Sequence, residues 1–358
     1  MCNQIHIYRK ALQRPSLLSS TNIMTTSQAW LCKSFSGSVE HNLSLSTSRP
    51  TPQPSDTEVL VEVSSTTVNP IDYKILELGL IPKLVLRSPV TPGLDVSGRV
   101  VAVGSKVDLF KPGDIVFGAC NGVFGHGALA QHVQVSQDTL ALAPPGAMAD
   151  DLAAIATTGM TALQALRQSV KAGDKVFING GSGGVGVIAI QIAKELGCHV
   201  TASCSSANVE LCKSLGADEV LDYKQADIIE QLNRRETRFE AIIDNVGTPS
   251  NLYRASQRFL QPSGTFVQVG LGMDLRALRQ FLGNMFIPSS LGGGKAKYVF
   301  AVTKPNGADF NQLAAWVEKR KIHAVIDSVY DFKNAPEAFA RLKTGRARGK
   351  VVISVKKA

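Results

Sequence analysis

Between Lys175 and Gly197 the chain reads KVFINGGSGGVGVIAIQIAKELG, and few folds accept such a stretch. KVFI is a short apolar run with the pattern of a buried strand. It passes into Gly181-x-Gly183-x-x-Gly186, and a helical pattern follows with Val185, Ile188, Ala189 and Ile192 on one side. Glycines permit the tight turn and let the backbone come close to a ligand. The helix N-terminus adds free N–H groups and a positive dipole, so the loop suits a pyrophosphate. Alone the glycine pattern is weak. Its place after one strand, at the start of a helix and before a second strand makes it specific.

The surrounding sequence supports an α/β fold of two parts. Apolar runs at 175–178, 199–202, 219–222, 241–246, 265–270 and 298–302 alternate with helical segments. That alternation predicts a doubly wound, six-stranded parallel sheet. Upstream, EVLVEVSSTTV (58–68) alternates, with Val59, Val61 and Val63 on one face. Runs at 98–104, 114–119 and 129–135, punctuated by Gly and Pro, extend a mostly β unit. Two late runs, VIDSVYDF and KVVISV, are placed to return to that first unit.

Charge and cysteine usage narrow the function classes. The formal charge is +9, but Arg9, Lys10, Arg14 and Lys33 supply four of these in a segment without Asp or Glu. The mild remainder, without clustered basic and aromatic residues, argues against nucleic acid as the partner. No apolar run reaches membrane-span length. The six cysteines form no CxxC, which fits a reducing, cytoplasmic setting. The basic, acid-free N-terminus reads as a disordered extension, with a mitochondrial presequence as the alternative.

An acid that binds the adenosine ribose is expected about 20 residues beyond the first glycine. Position 203, 22 residues after Gly181, is a serine, and Ser205, Ser206 and Asn208 follow. Small hydroxyls leave room for a 2′-phosphate and donate to it, so the cofactor reads as NADPH rather than NADH. The other reading is a polar loop without a selective role. Gly181, Ser182, Gly183, Gly184 and Val185 would hold the pyrophosphate. Val246, Val269, Gly270 and Leu271 follow strands that end at the cofactor edge.

TPGLDVSGRVVAVG, FKPGDIVFG, GALAQHVQV, TTGMTALQAL, NGGSGGVGVIAIQIAKELG, LGADEVLDY and GRARGKVVI occur in that order. Together they resemble the medium-chain dehydrogenase/reductase superfamily, in its zinc-independent branch of quinone oxidoreductases, zeta-crystallin and enoyl reductases. The resemblance covers nearly all of residues 29 to 358. It implies a GroES-like β-barrel catalytic domain, a Rossmann domain, and an active site in the cleft between them. The expected divisions are an extension at 1–26, the barrel at 27–155, the NADP-binding domain at 156–303 and a closing segment at 304–358. Zinc enzymes of the superfamily place ligands where this chain has Asn69, Leu94 and Ala154, so no metal is expected.

The resemblance also implies site residues. Asn69 matches an Asn beside the nicotinamide, or is a turn residue before Pro70. Tyr73 is a proton donor or packs in the barrel. Thr158 lies near the nicotinamide or caps a helix. Tyr223 matches a tyrosine at the adenosine end, whereas Asn208 replaces a lysine, so Arg346 or Lys350 becomes the candidate cation for the phosphate. The other reading of both is a solvated basic turn in GRARGK. Segment 271–297 is expected to be a substrate-side lid or a subunit contact, and the branch commonly forms homodimers. The implied reaction is hydride transfer from NADPH to a quinone or α,β-unsaturated carbonyl. The alternatives are a reductase or dehydrogenase of a specialised pathway, or a nucleotide-retaining binding protein with an RNA or protein partner.

Overall fold

The computed structural model describes residues 25–79, 84, 86, 88–120, 126–236, 238–272, 275–286 and 294–356. Most of the N-terminal extension and residues 287–293 of the expected lid lie outside them. Strands β1 (Thr26–Cys32) and β2 (Leu43–Pro50) pair antiparallel. They are followed by β3 (Glu58–Thr67), β4 (Asp95–Val103), β5 (Ile115–Ala119), β6 (His132–Ser136) and β7 (Leu140–Leu142). β3 pairs antiparallel with both β4 and β6, and β5 bridges β4 to β7. The simple alternation expected for β3 is exceeded. Leu60 is buried along with Val59, Val61 and Val63.

The second sheet contains β8 (Lys175–Asn179), β9 (His199–Cys204), β10 (Glu219–Asp222), β11 (Phe239–Asp244), β12 (Leu260–Gln268) and β13 (Lys297–Phe300). All six are parallel, in the spatial order β10-β9-β8-β11-β12-β13. This is the Rossmann arrangement expected from the six apolar runs. The order reverses between β8 and β11, and a crevice opens at their carboxyl ends. One apolar core joins the two parts: Leu152, Ile155 and Leu163 of helix Ala149–Arg167 pack with Phe117 of β5 and Ile178 of β8.

The tail does return to the first sheet. β14 (Ile326–Asp331) pairs parallel with β15 (Lys350–Ser354), and β15 pairs antiparallel with the end of β3. Just before β15 the chain touches the glycine loop. Gly349 N–H donates to the Ser182 carbonyl at 2.9 Å, and Gly349 forms an isolated parallel bridge with Gly183. β1 and β2 were not evident in the sequence, because their serines and threonines blur the apolar alternation.

The loop itself separates packing glycines from an open one. A Cβ on Gly186 would overlap the Gly180 carbonyl oxygen, and one on Gly181 would lie 2.9 Å from Ala202 Cβ. At Gly183 a Cβ would meet only Gly180 O, at 3.6 Å. Gly186 and Gly181 are thus required by helix–sheet packing, whereas the space beside Gly183 is open. Gly186→Ala should cost about 1–3 kcal/mol of stability by overpacking. Gly183→Ala should leave the melting temperature near the parent value but weaken dinucleotide binding at least about tenfold, as a methyl enters the space that the glycine pattern assigns to the pyrophosphate. Thermal melts with fluorescence titration would check the pair.

Candidate functional site

Asn69 lies just past the end of β3 and N-caps the short helix Pro70–Lys74. Its amide faces a buried polar cluster. Asn69 Nδ2 donates to Asp95 Oδ2 at 2.7 Å, and Lys350 Nζ donates to Asn69 Oδ1 at 2.6 Å. Lys350 also lies 3.4 Å from Asp95 Oδ2. Asp95 further accepts from the Thr67 hydroxyl and, at 2.7 Å, from the Thr157 N–H. Asp95 is fully buried and Lys350 is 4% exposed, so this ion pair is held away from water. Its geometry meets what a buried pair requires, with most of the remaining polar valences satisfied.

Asp72, on the same short helix, is fully buried. It accepts from the Asn69 N–H at 2.8 Å and from the Gly93 N–H at 3.2 Å. Burial, reinforced by the Asp95 charge, pushes its carboxyl up to about 7 from an ordinary 3.8.

The two residues after Asp72 diverge. The Tyr73 ring lies 5.6 Å from Lys343 Nζ, on the side of helix Ala335–Lys343, and packs with Phe339 and Leu76. Burial raises its hydroxyl above the usual range, with Glu77 adding to the rise. Lys74 instead reaches across the cleft, where Nζ donates to the Leu271 carbonyl at 2.6 Å. Half-burial lowers its ammonium below the ordinary lysine range. Sequence reasoning passed over Lys74; the motif NPIDYK contains it but does not show which way it points.

Thr158 is neither exposed nor a cap. It sits in the middle of helix Ala149–Arg167 and donates back to the Ala154 carbonyl at 2.7 Å. Its methyl points toward the loop, 3.5 Å from where a Cβ on Gly184 would lie.

Around the end of β9, where the sequence places the adenosine, the expected residues differ in their surroundings. Ser203 is fully buried. Its hydroxyl donates to Asn179 Oδ1 at 2.7 Å and accepts from the Gly180 N–H at 3.0 Å. It therefore braces the glycine loop from below. β9 runs two residues past the expected end, so the residues that emerge from it are Ser205, Ser206 and Asn208. Asn208 Nδ2 donates to the Ser182 hydroxyl at 3.0 Å, and its Oδ1 is buried without a partner among the described residues. That orphaned acceptor fits a ribose hydroxyl. Tyr223 is half exposed, and Lys224 Nζ lies 5.7 Å from its ring centre. Lys224 is thus a cation at this edge that the sequence reading missed. Lys350 is engaged in the buried cluster instead, and Arg346 is exposed on the turn before it. The Ser206 hydroxyl, with the Lys224 N–H, holds the Asp222 carboxyl below the usual range.

Val246, Val269, Gly270 and Leu271 follow the carboxyl ends of β11 and β12. Asp244 holds these ends together, accepting from Asn179, Val246 and Gly247. Val246, Leu271, Tyr253, Gln268 and Asn284 line a cavity of about 420 Å³ next to them.

Asp72 gives a stability test. An Asp whose folded pKa lies above its unfolded value stabilises the fold most at low pH, and loses that contribution between about 4 and 7. The stability advantage of the parent over Asp72→Asn should therefore shrink from pH 5 to pH 8 in paired thermal melts. A gap that stays constant or widens would contradict the raised carboxyl.

Residues 55–145 match the family model described as "Alcohol dehydrogenase GroES-like domain", and residues 215–353 the one described as "Zinc-binding dehydrogenase". The residues here do not fit zinc. Asn69, Leu94 and Ala154 supply neither thiolate nor imidazole, and an ammonium already pairs with Asp95. Among the described residues no group of three or more His, Cys, Asp or Glu is placed to hold a metal ion. The chain is 39% identical over 353 residues to a protein named "Trans-enoyl reductase pgmF" from Aspergillus terreus, covering 94% of this chain and 98% of that one. It is 32% identical to the "Quinone-oxidoreductase homolog, chloroplastic" of Spinacia oleracea, covering 84% and 91%. The quinone oxidoreductase from Coxiella burnetii superposes with a TM-score of 0.81 at 29% identity, covering 92% and 99%. With this sheet order, this glycine loop and these likenesses, the chain belongs to the medium-chain dehydrogenase/reductase superfamily, among the oxidoreductases of its quinone-oxidoreductase type.

Proposed function

We propose that this oxidoreductase uses NADPH to reduce a quinone or an α,β-unsaturated carbonyl without zinc. One observation carries the reading. Asn69 and Lys74, on the short helix and its cap, are hydrogen-bond donors rather than metal ligands, and Lys74 reaches the Leu271 carbonyl that follows β12. A plain ketone concentrates the developing charge on one oxygen, which a metal Lewis acid or a strong proton donor must stabilise. A conjugated acceptor needs less, because the incoming electrons delocalise onto an oxygen that donors can stabilise. The likeness to a trans-enoyl reductase and to quinone oxidoreductases points the same way.

Bound reduced dinucleotide supplies the hydride. The chain supplies the rest. The loop backbone from Gly181 to Val185 and the helix N-terminus hold the pyrophosphate. Val246, Val269, Gly270 and Leu271 border the nicotinamide end, and Thr158 packs beneath the loop. Asn69 offers an N–H to a substrate oxygen. Lys74, nearer the cleft than Tyr73, holds the proton that the reduced acceptor must gain. Its lowered ammonium makes it a better acid than an ordinary lysine.

Selection of the phosphorylated cofactor falls to Ser205, Ser206, Asn208, Tyr223 and Lys224. A charge-assisted contact to phosphate is worth about 1.5–3 kcal/mol. Lys224→Ala should therefore raise the NADPH dissociation constant roughly 10- to 100-fold and leave NADH unchanged. Nicotinamide fluorescence measures both, and consumption of NADPH with a quinone, an enone and an enoyl thioester tests the substrate class. Failure of the parent protein to bind NADPH would sink the proposal. Lys74→Met should lower kcat and remove the high-pH limb of its profile; an unaltered profile would return the proton to Tyr73 or to water.

A further inference from the structure

Asn69 is only 6% exposed, and its buried neighbours decide what its amide can offer. A lysine ammonium has only hydrogens to give, and an ionised carboxylate has only lone pairs. Lys350 meets Asn69 Oδ1 at 2.6 Å, and Asp95 meets Nδ2 at 2.7 Å. Turning the amide over would set ammonium against NH₂ and carboxylate against oxygen. The two charged neighbours therefore dictate the amide's orientation. They occupy its oxygen and one of its two N–H groups. Among the described residues no side chain accepts from the second N–H.

We propose that Lys350 and Asp95 are positioning residues that hold Asn69 as an obligate hydrogen-bond donor toward an oxygen in the cleft, and that Lys350 ties this setting to the glycine loop. The identity of that oxygen, the one that gains charge as hydride adds, rests on the proposed reductase function. The clamp does not.

The link to the loop is physical. A Cβ on Gly184, at the start of the loop helix, would lie 3.1 Å from Lys350 Cδ. The neighbouring Gly349 is hydrogen-bonded to Ser182. One side chain thus packs on the pyrophosphate loop with its stem and orients the substrate-side amide with its head. The other charged group in the cluster, Asp72, bonds to backbone N–H groups of Asn69 and Gly93, so the Lys350 ammonium meets Asn69 and Asp95, with the Val68 carbonyl at 3.5 Å as its third partner. Asp95 in turn is filled by Thr67 and Thr157. A donor fixed in advance costs no reorganisation as charge develops, and losing one such donor costs about 10²–10³ in kcat.

The experiment compares Lys350→Met with the charge-balanced double variant Asp95→Asn/Lys350→Met. Three quantities are read: kcat with an enone, dissociation constants for NADPH and NADH, and the melting temperature. Lys350→Met should lower kcat at least about 30-fold while both dissociation constants move less than about threefold. The double variant should regain melting temperature without regaining kcat. Two results would overturn the proposal. One is a weakening of NADPH alone that matches the loss of rate, which would make Lys350 a phosphate contact. The other is recovery of kcat in the double variant, which would reduce the cluster to charge burial. A separate thermal cycle of Asn69→Leu and Lys350→Met needs no turnover. The two changes must be non-additive, and additivity would refute the clamp even if the parent reduced no enone at all.

Discussion

Asp95 is the carboxylate on which the two halves of the molecule meet. Its four partners come from four places: Thr67 at the end of β3, Asn69 at the cap that follows, Thr157 in the interfacial helix, and Lys350 at the start of β15. An ionised side chain without water must be compensated locally, and breaking such a pair from one side typically costs about 3–5 kcal/mol. The fold therefore has little freedom in how the barrel, the helix and the returning strand are set. The same constraint that fixes their relative placement also fixes the polar groups facing the cleft.

The two ends of that cleft differ in kind. Where Asn69 stands, polar groups are buried and, one N–H of its amide aside, paired with one another, and little rearrangement is available to them. At the far end, Ser206 and Tyr223 face solvent, and Asn208 keeps an acceptor without a partner. A rigid end suits chemistry that depends on placement. A looser end suits recognition, where groups can adjust to a bound ligand.

Much of the fold was legible in the sequence for a physical reason. Parallel strands buried on both faces are continuous apolar runs, so all six strands of the nucleotide-type sheet stood out, and the glycine loop marked their order. β2 was hidden because a largely exposed strand tolerates Ser and Thr at most positions, and β1 because its buried residues, Ser27, Ala29, Trp30 and Cys32, follow no simple alternation. The site was legible as positions more than as roles. Counting from Gly181 leads to Ser203, but side-chain direction depends on where β9 ends. With β9 continuing to Cys204, Ser203 turns inward to Asn179. Likewise GRARGK was visible as a basic run, whereas only the pairing of β15 with β3 reveals that Lys350 points inside. Lys74 and Lys224 went unnoticed because single lysines have no periodic signature.

The return of β15 to the first sheet has a consequence for how the chain is made. Residues of β3 to β7 emerge from the ribosome long before residues 350–354, yet β3 lacks one neighbour until that last strand arrives. Domains usually fold in the order of their synthesis. Here the parallel sheet, contiguous in sequence, is free to form while the earlier β unit still has an open edge and Asp95 still has no counter-ion. The amino-terminal half thus completes its structure after the half that follows it. In the interval its exposed edge is a point of vulnerability to mispairing that ends only when Lys350 is delivered.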